Sequence, residues 1–320
     1  MNKFLSCDWG TTSFRLRLIE ADNLKVIGEV KSEQGMAATF RLWQQRGGTS
    51  TEREAFYFGI VDQNIDLLSG KIAVDLTGVP IILSGMASST IGIVDMPYRQ
   101  VPINLDGSDL EIKVLTNGKN PYAIVSGAST ADDVMRGEET KILGCTPLLP
   151  KSDTEHLLIL PGTHPKHIFI KDGKVISFKT YMTGEFFDLL TTHSILAASV
   201  NAGGGFEHPE NRYSFLEGVK CGQTTNLLHG SFLVRTNQVL KKMPPQQNYH
   251  YLSGMLIGAE LKDINTGSSV YLVGSTTHIA LYELACKEMG INVIKEIDAD
   301  EALIRGQSLV FDRYFKHTGK

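Results

Sequence analysis

Apolar and polar residues alternate through the first turns of the chain, and that pattern predicts strands. Lys3–Trp9 is a mostly apolar run. It stops at Asp8-Trp9-Gly10-Thr11-Thr12, and Ser13–Glu20 resumes with apolar residues on every second position. Strands are predicted over 3–9, 13–20 and 24–31, a helix around Glu52–Leu68, and a buried strand over Val79–Leu83 that ends at Ser84-Gly85-Met86. Short strands follow near Glu111–Leu115 and Ala123–Ser126, then a helix over Asp132–Leu143. The polar residues 150–155 mark the best boundary. Beyond them the plan repeats. Strand His156–Leu160 meets the turn Pro161-Gly162-Thr163-His164-Pro165, strand Lys166–Lys171 follows, and Asp172-Gly173 is a two-residue hairpin turn before strand Lys174–Tyr181. Helices dominate to about 263. Strand Val270–Val273 ends in Gly274-Ser275-Thr276-Thr277, and a helix, strand Asn292–Lys295 and a long helix close the chain.

Each half therefore opens with strand, Gly/Thr turn, strand, turn, strand, which reads as architectural duplication. Three Gly/Thr or Gly/Ser turns, at 8–12, 162–164 and 274–277, each lie at the end of a strand and point to a shared site. The first tip suits a nucleotide's phosphates. Gly10 lets the backbone approach closely, and free N–H groups with the Thr11 and Thr12 hydroxyls can donate to phosphate oxygens. Asp8 would repel bare phosphate, so it makes sense there with a Mg²⁺ between them. The same residues also describe an ordinary tight hairpin with a turn Asp.

Composition narrows the function classes. A chain of 320 residues accommodates two domains, expected here at 1–148 and 149–320. With 42% hydrophobic and 21% charged residues it has the make-up of a soluble globular protein. The net charge of −4, without a long basic run, argues against nucleic acid as a partner. No run approaches the roughly 20 apolar residues of a membrane span, and no signal peptide precedes the first strand. Cys7, Cys145, Cys221 and Cys286 show no metal-ligand spacing, and four reduced thiols in a cytoplasmic protein are expected.

Across nearly its whole length the chain resembles the 2-dehydro-3-deoxygalactonokinases of the sugar kinase–actin–Hsp70 superfamily. The resemblance rests on Asp8–Thr12 with Arg15, Ser84-Gly85-Met86, Met135–Thr140, Leu160–Lys166, Lys179–Glu185, His193-Ser194-Ile195, Ser253–Glu260 and Leu272–Ser275. Pro165 and His167 depart from the family pattern, as does the lack of an aromatic before Pro97-Tyr98. The resemblance implies an α/β fold of two ribonuclease H-like, actin-like ATPase domains with a cleft between them. It implies transfer of the ATP γ-phosphoryl group to the terminal hydroxyl of 2-dehydro-3-deoxygalactonate, with Mg²⁺.

On that resemblance Asp8 partners Mg²⁺, and Gly10, Thr11 and Thr12 meet the β- and γ-phosphates. Arg15 offsets transition-state charge or is a surface Arg. Gly162, Thr163 and His164 form the second phosphate turn, with Lys166 in reach; Gly274, Ser275 and Thr276 lie under the adenosine or simply turn the chain into a helix. The second turn lacks the acid that many relatives carry there, so the base is sought in Glu138 or Glu139, whose side chains diverge by about 100° on a helix. Acids in a first helical turn also simply favour the helix dipole. Arg136 suits the keto-acid carboxylate because it can grip both oxygens. Ser84, Gly85 and Met86 line the sugar-acid pocket, with Thr183 and Glu185 as further contacts; Thr183 equally reads as a helix N-cap. Trp9 and Trp43 are expected to pack rather than stack on a base. Other readings remain: a same-fold kinase for another sugar acid or polyol, or a non-catalytic sugar-binding homologue. A regulator would carry a DNA-binding helix-turn-helix, which is not seen ahead of the first strand. A homodimer is left open.

Overall fold

The computed structural model describes residues 2–47, 49, 52–116, 118–150 and 153–316. The chain forms two compact units. The first comprises Met1–Thr154, Lys171–Ser177 and Ala299–Lys320; the second comprises Glu155–Ile170 and Phe178–Asp298. The division thus falls a few residues beyond 148/149 and returns the last 22 residues to the first unit.

In the first unit the predicted meander forms β1 (Lys3–Trp9), β2 (Phe14–Glu20) and β3 (Lys25–Ser32). Two helices follow, α1 (Met36–Gln45) and α2 (Arg53–Ile72), then β4 (Ile81–Gly85). The remaining strands are β5 (Arg99–Gln100), β6 (Ile103–Asn104), β7 (Ile112–Leu115), β8 (Tyr122–Val125), β9 (Ala128–Ser129) and β10 (Val134–Met135), and α3 (Glu138–Cys145) ends the segment. The main sheet has the order β3-β2-β1-β4-β8-β7, with β1–β4 and β4–β8 parallel. Alternation sorts its faces: Leu5, Cys7 and Trp9 pack with Tyr57, Val61 and Leu68 of α2 in one apolar core. At the 20–30 cal/mol per Å² typical of apolar burial, a fully buried Leu or Tyr there contributes on the order of 2 kcal/mol.

The helix predicted over 132–143 is instead a short β9–β10 ladder, and helix begins only at Glu138. Gly137 is the reason. Its φ of +108° lies outside the helical region, and a Cβ there would stand 3.0 Å from the Gly85 Cα.

From residue 156 on come β11 (His156–Leu160), β12 (Lys166–Lys171) and β13 (Lys174–Thr180), then α4 (Thr183–Thr192), α5 (Pro209–Thr224), α6 (Leu227–Val239) and α7 (Pro245–Leu261). It closes with β14 (Ser269–Gly274), α8 (Thr276–Glu288) and β15 (Asn292–Asp298). Asp172 and Gly173, at φ 51° and 71°, form the predicted hairpin turn. The sheet order β15-β14-β11-β12-β13 repeats the first unit's meander followed by two parallel strands, which is the ribonuclease H-like arrangement. The chain is thus α/β with the architecture expected of an actin-like ATPase.

Glycines set the closest helix contacts. On α5 and α7, Gly218, Gly222, Gly254 and Gly258 face one another so tightly that a Cβ on any of them would lie 2.0–2.3 Å from a backbone oxygen of the other helix. The last helix, α9 (Ala299–Tyr314), lies on the first unit's sheet, where Phe311 stacks on Phe4 at 5.1 Å. It meets α3 through Gly144 and Gly306 in the same glycine-mediated way. Among the described residues no helix is long and apolar enough to cross a membrane.

Candidate active site

Asp8 sits one residue before the end of β1, with Arg15 opposite on β2 and Ser84 opposite on β4. Cys7 and Trp9 face the α2 core, so Asp8 faces the other side of the sheet, half-buried near the end of its strand. Gly10 N–H donates to the Ser13 carbonyl at 2.9 Å and closes the hairpin. The tip is braced from behind. The first amides of α1, at Met36 and Ala37, donate to the Gly10 and Thr11 carbonyls at 2.9 and 3.0 Å. Gly35 lies so close that a Cβ would be 2.2 Å from the Thr12 carbonyl carbon. Thr11 and Thr12 remain exposed.

Beside Asp8 the chain makes a second close approach. Gly85, at φ +91°, places its α-carbon where a Cβ would lie 3.6 Å from Asp8 Oδ1, and Gly137 packs directly on Gly85. The two glycines bring the start of α3 next to the end of β1. Glu138 accepts from the Arg136 amide at 3.1 Å and keeps partial exposure. Glu139 is buried; it accepts from the Gly137 amide at 2.6 Å and from the Thr140 hydroxyl at 3.1 Å. Burial, and secondly the Glu138 charge, push its pKa up to about 7.

Other predicted residues have local partners. Ser84 is fully buried, and its hydroxyl accepts from Gln307 Nε2 at 3.1 Å. The same amide donates to the Cys7 and Ile82 carbonyls, so Gln307 of α9 ties β1 to β4 beneath Asp8. Arg136 lies over the Tyr98 ring at 4.1 Å and donates to the Ser88 carbonyl and hydroxyl. Arg15 pairs with Asp300 at 2.6 Å, as does buried Arg17 at 2.5 Å, with Glu29 completing the cluster. Trp9 and Trp43 are buried packing residues, as expected.

In the second unit the turn Gly162-Thr163-His164 is exposed at His164 and Thr163. Lys166 is buried, with its ammonium donating to the His164 carbonyl at 3.0 Å. Thr183 does not cap α4: the N-cap is Met182, and the Thr183 hydroxyl donates to Glu260. Glu260, on the α7 face beside the glycine contact, also accepts from the Tyr282 hydroxyl at 2.6 Å and from His167 Nε2 at 3.0 Å. This buried network joins β12, α4, α7 and α8. Ser275 caps α8 by accepting from the His278 amide.

Above the network is a cavity of about 370 Å³, walled by Phe187, Phe206, Tyr249, Leu256 and Tyr282 and reached by Gly162 and Thr277. Its apolar walls and lack of a lining acid suit a flat apolar ring next to the Gly162–His164 turn. A larger cavity of about 590 Å³ in the first unit is lined by Asp106, Asp153 and Asp172, which disfavour a phosphate ligand.

The fold thus gathers Asp8, Gly10, Thr11, Gly85 and Glu138 in one unit and Gly162, Thr163, His164, Gly274 and Ser275 in the other. Sequence reasoning missed Gly35, Gln307 and the Glu260 network. The paired small residues Gly218/Gly222 and Gly254/Gly258, four apart on two helices, were a legible signal for the α5–α7 contact.

A family model for 2-keto-3-deoxy-galactonokinase matches residues 8–310. A Rhizobium meliloti protein assigned as a 2-dehydro-3-deoxygalactonokinase is 32% identical over 318 residues, 95% of each chain. The 2-dehydro-3-deoxygalactonokinase of Escherichia coli is 30% identical over 300 residues, 91% of each. A solved Sinorhizobium meliloti structure with the same assignment superposes with a TM-score of 0.82 at 29% identity, covering 99% of this chain and 98% of that one. The chain belongs to the 2-keto-3-deoxy-galactonokinase family.

Proposed function

We propose that this member of the family phosphorylates the terminal hydroxyl of 2-dehydro-3-deoxygalactonate with ATP, giving the 6-phosphate and ADP. The O6–Pγ bond forms, the bond from Pγ to the β–γ bridging oxygen breaks, and the hydroxyl proton passes to a base. The observation that carries this reading, on a chain of this family, is the Asp8 carboxylate. Among the described residues nothing hydrogen-bonds it, although it is half-buried beside an open hairpin tip. An anion so placed fits a cation. No three His, Cys, Asp or Glu side chains gather as a cage among the described residues, which matches an ion that keeps waters and phosphate oxygens as ligands.

Asp8 would hold Mg²⁺, directly or through water. Bound there, the ion neutralises charge on the β- and γ-phosphates. Gly10, Thr11 and Thr12 of the first unit can present N–H and hydroxyl donors to phosphate oxygens, and the Gly162–Thr163–His164 turn of the second unit is a further donor-bearing turn for phosphate. The adenosine takes the cavity of the second unit, next to Gly274–Thr276. Gly85, Met86 and Arg136 shape the sugar-acid pocket, Arg136 also clamping Ser88 and Met96.

Of the paired acids, Glu138 is our proton acceptor, because it alone keeps solvent access. Glu139 holds the Gly137 turn that presents it. The test is the product. Phosphorus NMR of the reaction with 2-dehydro-3-deoxygalactonate should show a phosphate monoester coupled to the two methylene protons of C6, as phosphorylation at C6 requires. A methine coupling, or inorganic phosphate alone, refutes the assignment.

A further inference from the structure

The second phosphate turn carries no acid in its own sequence, yet the fold brings one to it. Glu185, three residues into α4, lies with Oε2 2.5 Å from His164 Nε2. The backbone dictates the meeting. Gly184 packs onto the turn so closely that a Cβ would lie 2.5 Å from the Gly162 carbonyl oxygen, and the Glu185 amide donates to the Thr163 carbonyl at 3.0 Å. The turn is held from its other end too, by Lys166 Nζ on the His164 carbonyl and by the Tyr181 amide on the Pro165 carbonyl at 2.8 Å. Thr183, bonded to buried Glu260, fixes the start of α4.

We propose that Glu185 is a positioning residue of the nucleotide half: it fixes the His164 ring so that Nδ1 meets a phosphate oxygen of the bound nucleotide. The proposal rests on the kinase reading above, and it moves Glu185 away from the sugar acid. With Nε2 donating to the carboxylate, Nδ1 is the ring nitrogen left for a ligand, and in the doubly protonated ring it donates to a phosphate oxygen; no described residue meets it. The imidazole also separates two anions, since a carboxylate placed directly against phosphate would repel it. An incidental surface pair would leave nucleotide affinity alone.

The test compares wild type, Glu185→Gln, His164→Gln and the double variant. ADP binding is read by calorimetry with Mg²⁺ present, and KM by ADP-coupled kinetics for ATP and for the sugar acid. Glu185→Gln should weaken ADP binding and raise the KM for ATP about tenfold, the scale of one hydrogen bond to a charged group, with the sugar-acid KM unchanged. The double variant should be no weaker than His164→Gln, because both changes remove one interaction. Both side chains are partly exposed, so thermal melts of all variants should overlay. A raised KM for the sugar acid, losses that multiply in the double variant, or unchanged ADP binding in Glu185→Gln overturns the inference alone. A wild-type protein that binds no ADP overturns the kinase reading and the inference together.

Discussion

Replacing Glu139 with Gln should change how stability depends on pH. Glu139 is buried at the start of α3, and its pKa lies near 7 rather than 4.5 because burial, then the Glu138 charge, disfavour the carboxylate. In the folded protein it stays protonated where the unfolded chain has already ionised. Its contribution is therefore fully present below about pH 4.5 and is lost as pH rises through about 7. A pKa raised from 4.5 to about 7 makes that loss about 3 kcal/mol. Gln fits the site. Its carbonyl can accept from the Gly137 amide, and the Thr140 hydroxyl, which donates to Glu139, can rotate to accept from its NH₂. It cannot ionise, so the variant should lack the loss. Urea denaturation of both proteins from pH 5 to 8.5 measures this. The stability of Glu139→Gln relative to wild type should climb by about 3 kcal/mol across that range, most steeply below pH 7. A difference that stays flat within about 0.5 kcal/mol would show that Glu139 does not titrate as its burial demands.

Three further perturbations probe the site and its scaffold. Glu138→Gln should lower turnover on the order of 10²–10⁴ with ATP affinity kept, and near-normal turnover refutes its role as proton acceptor. Asp8→Asn should cut turnover at least about 10²-fold and flatten its dependence on Mg²⁺ concentration, while the melting temperature holds because the carboxylate has no hydrogen-bonded partner among the described residues to lose. An unaltered Mg²⁺ titration would remove Asp8 from the metal. Gly222→Ala introduces a Cβ 2.1 Å from the Met255 carbonyl oxygen and should cost about 1–3 kcal/mol in urea denaturation; no change would mean that α5 and α7 can part freely.

Much of the strand plan was legible because it is written locally. An apolar run marked β1 and alternation β2, apolar runs bounded β11 and β12 at the observed residues, and Asp172-Gly173 announced its turn. Asp8, Gly10 and the Gly162 turn stood at strand ends and could be singled out as candidates from position alone. The misses have long-range causes. A helix over 132–143 fits the local residues, but Gly137 must pack on Gly85, some fifty residues away, and that contact breaks it. Thr183 resembles a cap until Glu260, 77 residues on, takes its hydroxyl. Gln307 supports β1 from the far end of the chain, and no local pattern marks a glutamine for that task. The sequence offers Glu185 as a sugar-acid contact; its meeting with His164 is not legible there, because it depends on a glycine contact between a helix and a turn.

The central claim is that this chain is a sugar-acid kinase, and coupled ADP release tests it most directly. Purified protein with ATP and Mg²⁺ is offered 2-dehydro-3-deoxygalactonate and, separately, its gluconate epimer. Acceptor-dependent ADP release with the galactonate compound, faster than with the epimer, is the predicted result. No acceptor-dependent release with either compound would contradict the account.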